Sequence, residues 1–202
     1  MLHPLPAHIE PYLIRKPRLE VYLPQVNSSS HSEAAAEINR VIRDQTVELI
    51  QMTGYEDSQD TEVTGAYEIK LNERGLISLL LIVYGYTKGA AHGMTYQRGL
   101  TFEADSGQLI TLAQLFKPGA SYVAELSKLV AAQIEERQIP TLEPFKEIDK
   151  DQDFYMTDKA LVLFFGLYEL APYVYGFQYF PISIYALDDI KAENGVIDAL
   201  WY

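Results

Sequence analysis

Hydrophobic and polar positions first alternate in residues 18–26, where Leu19, Val21 and Leu23 sit between polar neighbours. A period of two marks a half-buried strand, and Pro24, which has no N–H to give a ladder, predicts that it lies at a sheet edge. The period then changes. Ser30 stands three positions ahead of Glu33, the spacing of a capping box, and Ala35, Ile38, Ile42, Leu49 and Met52 recur at helical spacing until Gly54. A long helix is expected there. In residues 62–71 the apolar side chains Val63, Tyr67, Ile69 and Leu71 fall on odd positions, and NERG at 72–75 turns the chain into LISLLLIVYGYT. The first of these segments reads as a half-buried strand. The second is apolar on both faces and belongs in the middle of a sheet.

Beyond a glycine-bracketed loop, residues 95–104 read as another strand, and DSG at 105–107 turns it toward QLIT. Thr111 is positioned to cap the short helix TLAQLF. A second long helix is expected over 121–138, with Val123, Leu126, Leu129, Val130 and Ile134 on one face and Pro140 beyond its end. DFYMT and ALVLFF make a hairpin about Asp158 and Lys159, residues 179–185 make one more strand, and ALDDIKAENG supplies a helical turn before a frayed end. Strands cluster here instead of alternating regularly with helices. The fold class this predicts is α+β, with mostly antiparallel sheets and two long helices packed on them. The expected organisation is an N-terminal arm (1–17), a first subdomain (18–94), a second (95–190) and a tail (191–202), the two subdomains forming one compact unit.

Composition narrows the classes. A 202-residue chain that is 48% hydrophobic can bury a real core. Its 28 acidic and 16 basic residues leave a net charge of −12, and without a Lys/Arg run to follow a phosphate backbone no nucleic-acid partner is expected. The same charge permits a basic protein partner, although acidity is also the ordinary route to solubility. The absence of cysteine removes disulfides, thiolate nucleophiles and thiolate zinc sites. The longest apolar run, 79–84, is far short of the roughly 20 residues that span a bilayer, so no membrane span is expected. The opening MLHPLPAHIEPYLIRKP does not read as a secretory signal. A complete chain would be cytoplasmic; one preceded by a signal or anchor would be extracytoplasmic.

The candidate chemistry begins with YTKGAAHGMTYQRG at 86–99. His92 could be a base, a metal ligand or a loop residue, but a base needs an orienting partner and a metal needs three or four converging ligands. The remaining histidines, His3, His8 and His31, all lie near the N-terminus. Gly89 and Gly93 suit a loop that needs unusual backbone or close approach, so a structural or partner-touching role is favoured over catalysis. TFEADSG resembles a metal-dependent deacetylase signature only superficially, because Glu103 and Ala104 occupy the places of its paired aspartates. DKDQD at 149–153 opens like a calcium loop, but Phe154 and Ala160 replace the required glycine and bidentate acid. No metal site, cofactor or catalytic residue is therefore expected. Eleven of the 24 aromatic residues fall in residues 154–185, a density that favours some of them being exposed for binding, since tyrosine offers large contact area at small entropic cost. Glu169 is a carboxylate there with no visible partner for glycosidase chemistry.

Three blocks, GAYEIKLNERGLISLLLIVYGYTKGAAHG, LTFEADSGQLITLAQLF and DFYMTDKALVLFFGLYELAPYVYGFQYFPI, carry a resemblance. Together they resemble a two-part bacterial module of unknown function, similar to the extracytoplasmic lysozyme-binding region of anti-sigma factor RsiV and the non-catalytic region of the peptidoglycan deacetylase PdaC. The resemblance runs from about residue 18 to 188 and divides the chain into a PdaC-like and an RsiV-like part. It implies a cell-envelope binding or sensing role without enzymatic activity, toward a protein partner that is basic and lysozyme-like. A cell-wall glycan-binding module is the alternative, and a hydrolase using His92 the second. Site candidates are His92, Gly93, Tyr168, Glu169, Tyr173, Tyr175 and Tyr179, which lie in these blocks and have suitable chemistry.

Overall fold

The computed structural model describes residues 6–27 and 31–201, and these divide into two compact units, one ending at Leu109 and one beginning at Ile110. The α+β expectation holds, with sheets dominated by antiparallel pairs. In the first unit five strands run in spatial order β1 (His8–Lys16), β2 (Leu19–Asn27), β3 (Thr61–Glu73), β4 (Leu76–Thr87) and β5 (Met94–Glu103). Every neighbouring pair is antiparallel except β2 with β3, which is parallel and only three residues long, Leu19–Val21 against Val63–Gly65. A parallel pair needs a crossover, and helix α1 (Ser32–Met52) supplies it.

The helix earns its place through one face. Ile38, Ile42 and Leu49 are completely or almost completely buried against Ile77, Leu79, Leu81 and Val83 of β4, together with Leu19, Val21 and Leu23 of β2. Burying each such side chain contributes about 1.5–3 kcal/mol. Met52 departs from the expected stripe and is exposed, because the helix ends at that residue and Gly54 turns away with φ +73°. The Ser30 half of the expected capping box lies outside the described residues.

Strand β4 is an interior strand between β3 and β5, as its two apolar faces predict: Leu76 to Leu81 are all buried. On one of those faces Ser78 Oγ and Thr101 Oγ1 hydrogen-bond at 2.8 Å. The β3–β4 turn is built as NERG requires, with Arg74 and Gly75 both at positive φ.

Three sequence expectations change here. Residues 8–16, expected as part of an arm, form the edge strand β1, paired with β2 through the turn at Pro17 and Arg18. Pro24 is consequently not on an edge strand. It faces Pro11 across the β1–β2 pair and lies beyond the three residues in which β2 meets β3, so no ladder bond is lost. Just past it, the side chain of Asn39 on α1 substitutes for a neighbouring strand, accepting from Val26 N–H and donating to Val26 C=O, both at 2.8 Å. Finally, the division expected after residue 94 falls instead after Leu109, because β5 takes its ladder from β4 and Phe102 bridges to Leu109.

In the second unit, β6 (Phe154–Met156), β7 (Ala160–Phe165) and β8 (Gln178–Ser183) form an antiparallel sheet. Helix α2 (Tyr122–Glu136) buries Leu126 and Val130, two of the five residues on its expected face. The TLAQLF segment is a single 3-10 turn, with Gln114 Oε1 accepting from the N–H and hydroxyl of Thr111. The strand expected over 179–185 ends at Ser183, whose Oγ accepts from Tyr185 N–H and starts another 3-10 turn. After it comes the short helix α3 (Val196–Ala199), where Lys191 Nζ reaches Asp188 at 3.3 Å, hydrogen-bonds Asp198 and lies 4.6 Å over the Trp201 ring. The Lys191 hydrogen bond, then the Asn194 N–H, hold the Asp198 carboxyl below its ordinary value. The bond to Asp198 raises Lys191 above its own.

Candidate functional site

The seven candidate residues fall into two groups, one in each unit. His92 and Gly93 occupy the β4–β5 connection. His92 is exposed, and its Nδ1 lies 3.0 Å from the Gly93 carbonyl oxygen, a contact that suits an N–H donor at that nitrogen and holds the ring to its own loop. Gly93 is buried because the Tyr84 ring lies across it: a Cβ at this position would come within 2.3 Å of the ring's hydroxyl end. The close approach explains the glycine without any ligand. No group of three or more His, Asp or Glu side chains converges among the described residues.

The other five belong to residues 166–179, which connect β7 to β8 and enter it. Tyr168 has φ +65° and is 49% exposed. A non-glycine residue in this left-handed region is uncommon and costs about 1–2 kcal/mol, so the surrounding turn must hold it. Glu169 does so. Its Oε2 accepts from Gly166 N–H at 2.6 Å and its Oε1 accepts from Gln152 Nε2 at 3.1 Å. The same Gln152 nitrogen donates to Phe164 C=O at 2.8 Å, and Gln152 Oε1 accepts from Asp149 N–H. Gln152 is thus a buried knot joining the DKDQD loop, the end of β7 and the turn below Tyr168. Both carboxylate oxygens of Glu169 are engaged in this knot, although the residue itself is exposed.

Tyr168 and Tyr173 face each other with ring centroids 5.5 Å apart at 35°. Pro172 then starts a 3-10 turn, Tyr173–Tyr175, which ends at Gly176 with φ +67°. Tyr175 is 53% exposed and Val174 is 83% exposed. Tyr179 differs from the others. It is half-buried, packed on Phe164 at 5.8 Å and near Tyr155 and Phe177, and it serves the sheet more than the surface. Val174 was not among the sequence candidates. In an alternating YVY it reads as an inward strand residue, and only the turn imposed by Pro172 and Gly176 rotates it outward.

The result is a mostly apolar connection that exposes Tyr168, Val174 and Tyr175, carried by an antiparallel sheet and held in part by the Glu169 bond to Gly166 N–H. These features define an α+β scaffold that presents an exposed tyrosine-rich connection. Comparison with known proteins gives it a family context. Residues 113–185, which include the whole tyrosine connection, match the family model described as "Protein of unknown function (DUF3298)". The chain is also similar to anti-sigma-V factor RsiV of Bacillus subtilis (strain 168), 27% identical over 180 residues. That alignment covers 81% of this chain but only 62% of the length of RsiV. Two solved structures share the fold across both lengths. One is a DUF3298 family member from Bacteroides fragilis, with TM-score 0.71, 12% identity and coverage of 96% of this chain and 97% of that one. The other is a DUF3298 family protein from Pseudomonas aeruginosa, with TM-score 0.66, 17% identity and 96% coverage of both. The RsiV-like resemblance drawn from the three sequence blocks therefore holds. Similarity to an anti-sigma factor supports a regulatory or binding domain in general terms. Among the described residues, no helix is long and apolar enough to cross a membrane.

Proposed function

We propose that the chain is a non-enzymatic binding or sensing domain whose β7–β8 connection grips a protein partner, a basic, lysozyme-like one. The observation that carries this reading is the exposed trio Tyr168, Val174 and Tyr175, backed by half-buried Tyr173 and held in a strained turn by Glu169 and Gln152. Rigid, amphipathic aromatic side chains lose little entropy on binding and are typical interface anchors. The net charge of −12 favours a cationic partner and speeds its encounter. Similarity to RsiV adds the regulatory context.

Titration calorimetry against a panel of lysozymes at low salt tests it. Heat is expected with at least one lysozyme, and substituting Tyr168 or Tyr175 by alanine should weaken binding by about 2 kcal/mol at whichever ring is an anchor. An absence of heat at high micromolar concentrations would remove the lysozyme-like partner.

A glycan-binding reading has one observation in its favour, the Tyr168–Tyr173 ring pair, whose Tyr168 ring is exposed and could stack a sugar. Peptidoglycan fragments that shift the signals of these tyrosines would support it over the protein partner. The contact between His92 Nδ1 and the Gly93 carbonyl favours loop holding over proton transfer, so substituting His92 by alanine is expected to leave binding by the tyrosine connection intact.

A further inference from the structure

Within the first unit, a cavity of about 220 Å³ opens between the β1–β2 hairpin and α1. Ile14 and Leu19 from the hairpin and Val47 and Ile50 from the helix give it apolar walls. Tyr55 contributes another wall and is pinned there, its hydroxyl donating to Pro17 C=O at 2.7 Å and its ring facing the Arg18 guanidinium at 5.0 Å.

The charged residues lining the cavity are Lys16, Arg43 and Glu56. Their pairing is uneven. On the same two elements, Arg15 is bonded to Glu20, and Arg40 to Glu37 and Asp44. Among the described residues, neither Lys16 nor Arg43 has a carboxylate partner; Arg43 only approaches the Tyr12 ring, at 6.0 Å. Arg15 and Arg40 are thus neutralised by carboxylates, while Lys16 and Arg43 at the cavity are not.

We propose that this cavity binds a small amphiphilic monoanion, a carboxylate carrying one aromatic ring or short acyl chain, with its apolar body between hairpin and helix and its carboxylate at Lys16 and Arg43. Size supports a small ligand: an engineered cavity of about 150 Å³ accepts benzene, while drug-sized ligands need roughly 300–1,000 Å³. The chain's negative charge does not forbid an anion. At physiological ionic strength exposed charges are screened beyond about 8 Å, so the two cations at the cavity outweigh distant carboxylates. Of the lining groups only Glu56 opposes them.

The test is an NMR titration of the full chain with phenylpropionate, alongside phenylpropanol and phenylpropylamine, which share its body but carry no charge or a positive one. Phenylpropionate should perturb amides of residues 14–19, 43–51 and 55 and bind about fivefold or more tightly than the alcohol. Lys16→Gln and Arg43→Gln should each erase most of that preference while leaving alcohol binding unchanged. Val47→Trp, at an exposed helix position, should fill the space and abolish binding of both. Equal binding of acid and alcohol, perturbation confined to other residues, or undiminished binding in the folded Val47→Trp variant would each overturn the proposal. The two glutamine variants change only exposed side chains and remain decisive if Val47→Trp does not fold.

Discussion

At the scale of single residues, backbone conformation makes the sharpest predictions. Tyr168 sits at φ +65°, where glycine is at ease. Tyr168→Gly should therefore be at least as stable as Tyr168→Ala by about 1 kcal/mol, with both losing partner binding equally; thermal unfolding and calorimetry on the pair would check it. Gly107 and Gly89 offer a second comparison. Both have positive φ, but a Cβ on Gly107 would lie 2.7 Å from the Ala34 carbonyl oxygen, whereas Gly89 has open space around it. Alanine at Gly89 should cost about 1 kcal/mol and alanine at Gly107 at least about 2–3, read from denaturant midpoints. Much of this detail was hidden in the sequence. The tyrosine density pointed to residues 154–185, where Tyr168 and Tyr175 are exposed, but the half-buried Tyr179 and outward Val174 depend on where Pro172 and Gly176 bend the chain. Glu169 looked like a carboxylate without a partner because Gln152, its hydrogen-bond donor, lies seventeen positions away on another loop.

At the scale of elements, periodicity was the reliable guide. The α1 stripe, the doubly apolar β4 and the Arg74–Gly75 turn are all local signals, and each element formed as read. Pairing was less legible. Nothing in residues 8–16 announced a strand, since Pro11 and mixed polarity mask one, and the parallel β2–β3 contact is set by the helix between them. Asn39 carries a testable part of that arrangement. Asn39→Ala would leave both the N–H and C=O of Val26 without their partner, at a cost of about 2–3 kcal/mol. Asn39→Asp keeps an acceptor for the N–H but sets a carboxylate against the carbonyl, and should be destabilised too. Chemical denaturation of the two variants would measure both effects.

At the scale of the whole molecule, charge sets how the chain answers salt and pH. If a basic partner binds, its association should slow steeply as ionic strength rises, because the steering arises from a net charge of −12 while the tyrosine contacts are insensitive to salt; stopped-flow mixing at several salt concentrations would separate the two. The Lys191–Asp198 pair gives a pH window. Asp198 is depressed below its ordinary value of 3.8, so its contribution is present above that value and lost as pH falls through the lower folded one. Lys191 is raised above 10.5, so its contribution is present below that value and lost as pH rises through the higher folded one. Asp198→Asn should accordingly lower the melting temperature near neutral pH and lose that deficit in strong acid. A last consequence follows from the three-residue seam between β2 and β3. The β1–β2 ribbon is sewn to the rest of its sheet by few rungs, plus the bonds from Arg18 to Thr61 and Ser58, from Asn39 to Val26, from Tyr55 to Pro17 and between Asn72 and Ala7. Such a ribbon can detach as one piece without unravelling β3, β4 and β5, so its amides should trade hydrogen for deuterium together and ahead of theirs.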